Sequence, residues 1–530
     1  MPFIALILLI LCHFLSGYGL LYLFGIRLKT GITITLSLLL GIAVASVLPF
    51  LLQLCYVPLT EVTVFGSLAV ACVLLNIRTL LDLRKGIYPK LPSIRDFRVE
   101  LYEVPYILVI AFFVFVSVWR CYYLPPTSRD ALSGPEAIAE FAYREHTLIN
   151  SFFNVDLFTT NNQFKSPFLI DLQLIYKMAG FPFGQVWLSV VFVSFIVLLY
   201  HLLRERVHPV IAGALLLIFL LAPEMYAYSF MILYDYSNAV FFFLSLYFLF
   251  EYSKSGTLRT LYFSGLLMGI ATYIRSETLA LAVLFLPLVL LVQYRAKYDW
   301  KKIAWTNGLF ILPALVGYYL PTQLYIRHYL PVHYEVANLI NPHLSDPGPL
   351  FDRYGEMLTK LMTGTFAIHL WGYIMFVFGA LLAGELIFLR QLGRDARNWL
   401  YAVLVVFIGL GLLGFLLPLF DLTDTTKRAL FKILPLMLFY LANNGLLLRL
   451  STAISRWEQV SLRAELAGKT AVKTGGKAAA AKTEAAGKTS AGGKGKTTGK
   501  PGAAGNGAGV NPKTAATAES GGKGKKKKGR

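Results

Sequence analysis

The chain has 530 residues, of which 56% are hydrophobic and 15% are charged, and its mean hydropathy is +0.61. Soluble domains carry about 25% charged residues, so this composition excludes an ordinary soluble protein. The net charge of +20 is unevenly distributed, because residues 451–530 hold 14 Lys and 3 Arg against 4 Glu and supply +13 of it.

Apolar runs of roughly 18 to 25 residues recur along the chain before this tail, long enough to cross a bilayer core of about 30 Å as helices. Only helices and closed barrels satisfy the backbone in lipid, and the alternating pattern of a barrel is absent. The sequence therefore predicts an all-α integral membrane protein. About thirteen transmembrane helices are predicted, near 3–25, 30–54, 61–77, 103–123, 186–203, 208–225, 229–251, 261–275, 278–294, 303–325, 369–389, 399–420 and 429–449.

The distribution of Lys and Arg predicts the orientation of these helices. Every second connection is short and basic, and such connections face the cytoplasm. Two long connections, 124–185 and 326–368, are less basic for their length, so we expect them outside as structured loops. The N-terminus is predicted to lie outside and the C-terminus in the cytoplasm. The predicted location is the cytoplasmic (inner) membrane, with the outer loops facing the periplasm or the exterior.

Charged residues mark the outer ends of several predicted helices. They come from four separate connections: Asp130, Asp235, Arg275, Glu277, Lys427 and Arg428. Acids and bases therefore meet at one membrane–water boundary, where a lipid headgroup would present its reactive group. The spans hold few internal charges, which argues against an ion pathway through the bilayer.

This arrangement favours transfer from a lipid-linked donor. A polyprenyl-phosphate sugar presents its phosphate at the interface, and a carboxylate there can accept the proton of the attacking acceptor hydroxyl. Cationic side chains can neutralise the phosphate as its charge develops on leaving. Asp130 fits the first role. The second role fits Arg275, Lys427 and Arg428.

In the order of these motifs the chain resembles the GT-C superfamily of membrane glycosyltransferases, which includes protein O-mannosyltransferases and the aminoarabinose transferases of lipid A. The resemblance covers about 102–450. Its motifs are Asp130-Ala-Leu, Tyr234-Asp235, Gly269-Ile-Ala-Thr-Tyr-Ile-Arg275-Ser-Glu277, and Thr426-Lys427-Arg428 followed by Leu434-Pro435. It implies an inverting transferase with Asp130 as catalytic base. It further implies that Arg275 and Lys427 or Arg428 bind the donor phosphate, and that Asp235 supports the site or a metal.

The chain departs from this family just after the loop aspartate. Many relatives carry a second acid or a histidine there, whereas this chain reads Ser133-Gly134-Pro135-Glu136, so Glu136 is the candidate for that part. Glu277 is expected to support the site. No set of metal ligands is predicted from spacing, and the cofactor stays open, with a divalent metal ion as one option.

Three regions follow from these patterns. Residues 1–101 are predicted to form an N-terminal membrane segment of three helices, residues 102–450 a GT-C-like catalytic region, and residues 451–530 a disordered basic cytoplasmic tail. The tail lacks the aromatic residues that stack on bases, so no nucleic acid is expected. The expected partners are the polyprenyl-phosphate sugar donor, membrane lipids, and a lipid, glycan or protein acceptor.

Other interpretations stay open at this point. A transporter or flippase of lipid-linked saccharides would also cross the membrane many times, although the internal repeat typical of carriers is not visible. A third interpretation is a non-catalytic scaffold whose basic tail recruits a cytoplasmic partner. Individually, Asp130 could form a surface ion pair with Arg129, and Asp235 could merely cap a helix.

Overall fold

The computed structural model describes residues 2–86, 99–154, 165–329, 347–416, 428 and 430–460. Contacts divide the chain into residues 1–458 and residues 459–530, and of the second unit only Gln459 and Val460 are among the described residues. All regular elements in the described ranges are helical, which confirms the all-α class. A helix continues to Val460, past the predicted start of the tail at Ser451.

The helices are numbered in chain order. The first ten are α1 Pro2–Phe24, α2 Thr30–Ala45, α3 Leu48–Leu54, α4 Glu61–Leu75, α5 Ile77–Arg84, α6 Val104–Tyr123, α7 Arg129–Leu132, α8 Pro135–Glu145, α9 Phe168–Met178 and α10 Val186–Arg204. The others are α11 Pro209–Leu220, α12 Pro223–Ala227, α13 Tyr234–Ser255, α14 Leu258–Ile274, α15 Thr278–Arg295, α16 Trp300–Tyr319, α17 Pro347–Thr365, α18 Ile368–Trp371, α19 Ile374–Gly384, α20 Arg394–Leu416, α21 Ile433–Asn443 and α22 Gly445–Val460.

Several of these helices are long and apolar enough to cross a membrane. In the described part there are six such stretches, Phe3–Phe24, Thr30–Leu54, Leu101–Tyr123, Val186–Arg204, Thr278–Arg295 and Trp300–Arg327, and two bent helix pairs raise the number to eight. The protein is therefore a multi-pass membrane protein. Every predicted segment overlaps a helix, but α11 and α14 are shorter apolar helices, so the count of thirteen spans stays a prediction.

Helix α13 lies at the centre of the bundle. Its residues 234–250 are all buried, because α14, α15 and α21 pack around it. A helix that is apolar on every side requires such an environment. With 22 residues, α13 is about 33 Å long, close to the thickness of a bilayer core. Asp235 is at its N-terminal end.

Glycines bring α14 and α16 into backbone contact. A Cβ atom on Gly269 would lie 2.6 Å from the carbonyl oxygen of Pro313, and one on Gly317 would lie 2.2 Å from that of Gly269. Small residues allow this close approach in membrane helices. Beyond Tyr319, α16 continues as a π-helical stretch, Leu320–Tyr329, that carries Pro321, Thr322 and Ile326 to the N-terminal end of α13.

Four charged residues bind one another at the C-terminal end of α13. Arg206 bonds Glu251 at 2.8 Å and Asp395 at 3.1 Å, and Lys254 bonds Asp395 at 2.9 Å. These pairs join the ends of α10 and α13 to the start of α20. The two ends of the central helix therefore differ, since this end is tied by mutual pairing and the other opens into a cavity.

Candidate active site

A cavity of about 140 Å³ lies at the N-terminal end of α13. Much of its apolar wall is formed by Ile232, Leu233, Ile274 and Ile326. Its charged lining residues come from five separate segments of the chain: Asp130, Lys165, Asp235, Arg275, Glu277 and Arg428. Five residues selected from the sequence are thus brought together in space, although they span nearly 300 positions.

The first of them, Asp130, sits on the short helix α7. The hydroxyl of Ser128 caps this helix by accepting a hydrogen bond from the backbone of Ala131 at 3.4 Å. Arg428 donates a hydrogen bond to Oδ2 of Asp130. Asp130 thus forms an ion pair with Arg428, from a distant part of the chain. The side chains of Asp130 and Arg428 are 26% and 29% exposed, so this pair remains accessible from the cavity.

The other acids form a more deeply buried chain of ion pairs. Arg275 bonds Asp235, and its Nε donates to Glu277 at 2.6 Å. Lys432 reaches the same carboxylate at 3.3 Å. Only 3% of the side chain of Asp235 and 3% of that of Lys432 is exposed. Asp235 is therefore engaged by Arg275, which goes beyond the helix-cap role.

The turn that carries Arg275 is fixed by the central helix. Arg275 ends α14 in an extended backbone conformation, and Glu277 immediately precedes α15. One turn after Asp235, the amide of Asn238 donates to the carbonyl of Ala271 at 2.6 Å and to the hydroxyl of Thr278 at 3.0 Å. These bonds hold the turn against α13. The Arg275 guanidinium is therefore positioned both by this attachment of the turn and by its own bonds to Asp235 and Glu277.

Burial and charge compete at each of these groups. Burial alone would raise the pKa of Glu277, but Arg275 and Lys432 outweigh it and hold that pKa below its usual value. Burial would lower the pKa of Arg275, but Asp235 and Glu277 outweigh it and raise that pKa. Arg275 and Glu277 therefore both keep their charges at neutral pH.

The pKa values of the two remaining cavity cations, Lys165 and Arg428, shift in opposite directions. Burial lowers the pKa of Lys165 to about 8, with Arg275 and Arg428 acting in the same direction against Asp130. Burial would also lower the pKa of Arg428, but Asp235 and Asp130 outweigh it and raise that pKa. Lys165 is therefore the one cavity cation described here whose charge changes near physiological pH.

Lys165 and Lys432 were not selected from the sequence. Lys165 lies in the same predicted outer loop as Asp130, and Lys432 follows Arg428 by four positions. On a helix this spacing places two side chains on one face. The spacing could therefore have indicated Lys432, whereas the position of Lys165 depends on the tertiary fold.

Two other residues selected from the sequence lie elsewhere. Glu136 bonds Lys177 at 2.6 Å in the interface between α8 and α9, although its neighbour Pro135 lines the cavity. Lys427 lies outside the described residues. Among the described residues, no group of three or more His, Cys, Asp and Glu side chains is arranged to hold a metal ion.

A second cavity of about 470 Å³ adjoins the first. Both cavities are lined by Asp130, Leu233 and Arg428, so the ion pair lies on the boundary between them. Glu224 and Tyr228 belong to the second cavity. Burial raises the pKa of Tyr228 to about 12, with Asp235 adding to this effect, so its hydroxyl keeps its proton at neutral pH.

Comparison with known proteins gives one family match. Residues 168–319 match the family described as dolichyl-phosphate-mannose-protein mannosyltransferase. No curated protein and no solved structure matches the chain significantly. The matched segment holds Asp235, Arg275 and Glu277, while Asp130 and Arg428 lie on either side of it. The match confirms the resemblance seen in the motifs: residues 168–319 are similar to a family of GT-C-type membrane glycosyltransferases.

Proposed function

We propose that the protein transfers a sugar from a polyprenyl-phosphate-linked donor to an acceptor hydroxyl at the outer face of the membrane, with Asp130 as general base. The observation that carries the proposal is the cavity at the N-terminal end of α13. It combines one accessible carboxylate, Asp130, with the cations Lys165, Arg275 and Arg428. A transferase of this type needs both a proton acceptor and a phosphate site.

The three cations are the ligands for the donor phosphate. Arg275 and Arg428 present planar guanidinium groups, which suit bidentate recognition of phosphate oxygens, and Lys165 adds a point charge. As the bond between sugar and phosphate breaks, negative charge builds on the leaving phosphate. Cations already held in place stabilise that charge without reorganising. Asp235 and Glu277 support the reaction by fixing Arg275.

Asp130 suits the role of base better than the other two acids do. Asp235 and Glu277 are bound to Arg275 inside the protein, and Lys432 also bonds Glu277. Asp130 has Arg428 as its ion-pair partner and borders both cavities. A donor phosphate competes for the N–H groups of Arg428. Donor binding therefore weakens the bond of Arg428 to the carboxylate at the position where a proton must be accepted.

The two cavities suit a single displacement. With the donor phosphate among the cations of the first cavity, the acceptor enters through the second, which Asp130 also lines. The acceptor oxygen attacks the anomeric carbon from the side opposite the phosphate while Asp130 takes its proton. Attack from that side inverts the configuration of the sugar. The polyprenyl phosphate leaves with the electron pair of the broken bond.

The outer face is the side that the distribution of basic residues favours for this cavity. The paired cluster of Arg206, Glu251, Lys254 and Asp395 marks the other end of α13. The short basic connections near that end fit the cytoplasm. We accordingly propose that residues 1–101 and 102–450 form one inner-membrane enzyme whose site faces the periplasm or exterior.

A transfer assay tests this proposal. Purified protein in lipid vesicles is given radiolabelled polyprenyl-phosphate sugars and a membrane extract containing acceptors. Asp130→Asn is expected to lower transfer by roughly a hundredfold or more, because general base catalysis contributes on that order. The matched control is Asp299→Asn at the start of α16, where the side chain only caps a helix by accepting from the backbone of Lys302 at 2.7 Å.

The outcomes of this assay are distinct. Loss of transfer in Asp130→Asn alone, with the variant still folded in the membrane, supports both the activity and the base. Equal transfer by the wild type and Asp130→Asn removes Asp130 from the mechanism. Movement of an unaltered lipid-linked saccharide across the vesicle membrane, without transfer, would instead identify a carrier.

A further inference from the structure

Lys177 occupies a buried position outside the proposed catalytic cavity. Only 5% of its side chain is exposed, and it bonds Glu136 at 2.6 Å and Glu140 at 3.0 Å. It also donates to the carbonyl oxygen of Pro182 at 3.2 Å. One ammonium group on α9 therefore binds two carboxylates one turn apart on α8.

The same interface is connected to a membrane-spanning helix. The indole of Trp187 in α10 donates to Oε1 of Gln173 at 2.7 Å. The amide nitrogen of Gln173 donates to Glu136 and, at 2.9 Å, to the carbonyl oxygen of Phe183. A continuous set of hydrogen bonds thus runs from α10 through α9 to the first turn of α8.

This part of α8 is directly coupled to Asp130. Only Ser133 and Gly134 separate α7 from α8, and both bond back to α7 through their backbone nitrogens, to Arg129 at 2.9 Å and to Ala131 at 3.2 Å. Pro135, the first residue of α8, lines the catalytic cavity beside Asp130. A shift of α8 along α9 would therefore move Asp130 relative to Arg428 and the donor phosphate.

Stability alone is a poor reason to bury these charges. Ile138, Ala139 and Ala142 already pack α8 against the protein with no exposed surface. Replacing a buried ion pair by apolar residues is often neutral or stabilising, whereas a paired charge fixes one geometry among several. The arrangement of charges therefore fits a requirement for position.

We propose that Lys177, together with Gln173 and Glu136, is a positioning group that sets the placement of Asp130 by fixing α8 on α9. This inference rests on the proposed function, because it assigns Asp130 the role of base. It also gives Glu136 a different part from that of a second catalytic acid. Lys177 does not touch the substrate in this scheme and acts only through α8.

The test compares variants in the transfer assay. Lys177→Met is expected to lower kcat roughly tenfold to a hundredfold, since a small misplacement of a catalytic group has effects of that order. The donor KM should change little, and Lys177→Arg should restore most of the rate. The control Arg144→Met removes the other cation bound to Glu140, an exposed one at 2.7 Å, and should leave kcat unchanged.

A double variant separates position from stability. Lys177→Met combined with Glu136→Gln leaves no unpaired carboxylate at that position, so it should recover thermal stability while kcat stays low. Recovery of wild-type kcat in the double variant overturns the proposal. If Lys177→Met does not fold, Gln173→Leu provides the same comparison, because it breaks the link to Trp187 and keeps the pair of Lys177 with Glu136.

A structural readout keeps the inference separate from the activity. A nitroxide is attached to Leu132→Cys, an exposed site on α7, in a Cys55→Ser background. Lys177→Met should increase the mobility of the label, and Arg144→Met should not. An unchanged spectrum in Lys177→Met overturns the positioning role. Absence of transfer by the wild type would count against the proposed function alone, since the spectra still decide the role of Lys177.

Discussion

The guanidinium of Arg428 donates a hydrogen bond to Oδ2 of Asp130, across 298 positions of the chain. This contact joins the helix after α6 to the segment before α21. The cavity is therefore complete only when the early and late parts of the protein have packed together. In the proposed mechanism the phosphate ligand also covers the base until the donor arrives, so acceptor activation follows donor binding.

Arg428→Met is expected to raise the donor KM by roughly tenfold to a hundredfold, because a hydrogen bond to a charged group contributes about 1.5–3 kcal/mol. Initial rates at varied donor concentration measure this change. Arg144→Met, which removes an exposed arginine of α8, is the control. A donor KM equal to that of the wild type would remove Arg428 from the phosphate site.

The donor KM is expected to rise between pH 7 and pH 9. The pKa of Lys165 is lowered to about 8, so its ammonium is charged below that pH and loses its proton as the pH rises through it. One phosphate ligand is then lost. Lys165→Arg should flatten this part of the profile, since a guanidinium stays protonated. An identical pH dependence in Lys165→Arg would assign the change to another group.

Arg275→Met is expected to destabilise the protein by about 3–5 kcal/mol, because it leaves the buried carboxylate of Asp235 without its partner. Thermal unfolding in detergent measures the loss. Adding Asp235→Asn should recover much of the stability, yet the donor KM should stay high because the phosphate ligand is still absent. If stability and donor affinity recover together, Arg275 has only a structural role.

Gly317→Ala is expected to destabilise the protein by about 1–3 kcal/mol, the usual range for overpacking. Its Cβ would lie 2.2 Å from the backbone oxygen of Gly269. Gly308→Ala on the same helix is a matched control, because its Cβ would meet nothing within 4 Å. Equal melting temperatures of the two variants would contradict the close contact between α14 and α16.

The helical class could be predicted because the length of an apolar run is a local property. The break between α2 and α3 at Ser46 and Val47 was not predicted, since the sequence stays apolar through it. Asp130 and Asp235 were found as acids at the ends of predicted helices. The partner of each acid depends on tertiary packing, which local spacing does not contain.

Distance in sequence from Asp130 did not predict whether Glu136 and Lys165 line the cavity. Glu136 follows Asp130 closely in sequence but faces Lys177 instead of the cavity. Lys165 is 35 positions after Asp130 by their numbers, yet it lines the same cavity. Nearness in sequence thus suggested one residue outside the cavity and gave no reason to choose another that lies within it.

The number of charges at the proposed site has a consequence for turnover. Four cations, the three that line the cavity and Lys432, face three carboxylates, Asp130, Asp235 and Glu277, which gives a net charge of +1. A phosphodiester donor carries one negative charge, so the loaded site is neutral. After transfer, Asp130 holds a proton and the polyprenyl phosphate, now a monoester, carries about two negative charges, so the site is still neutral. When Asp130 gives its proton to water, the protein groups of the site lose one unit of positive charge, so they attract the spent lipid phosphate less strongly. In the proposed mechanism, recovery of the base therefore also favours release of the product.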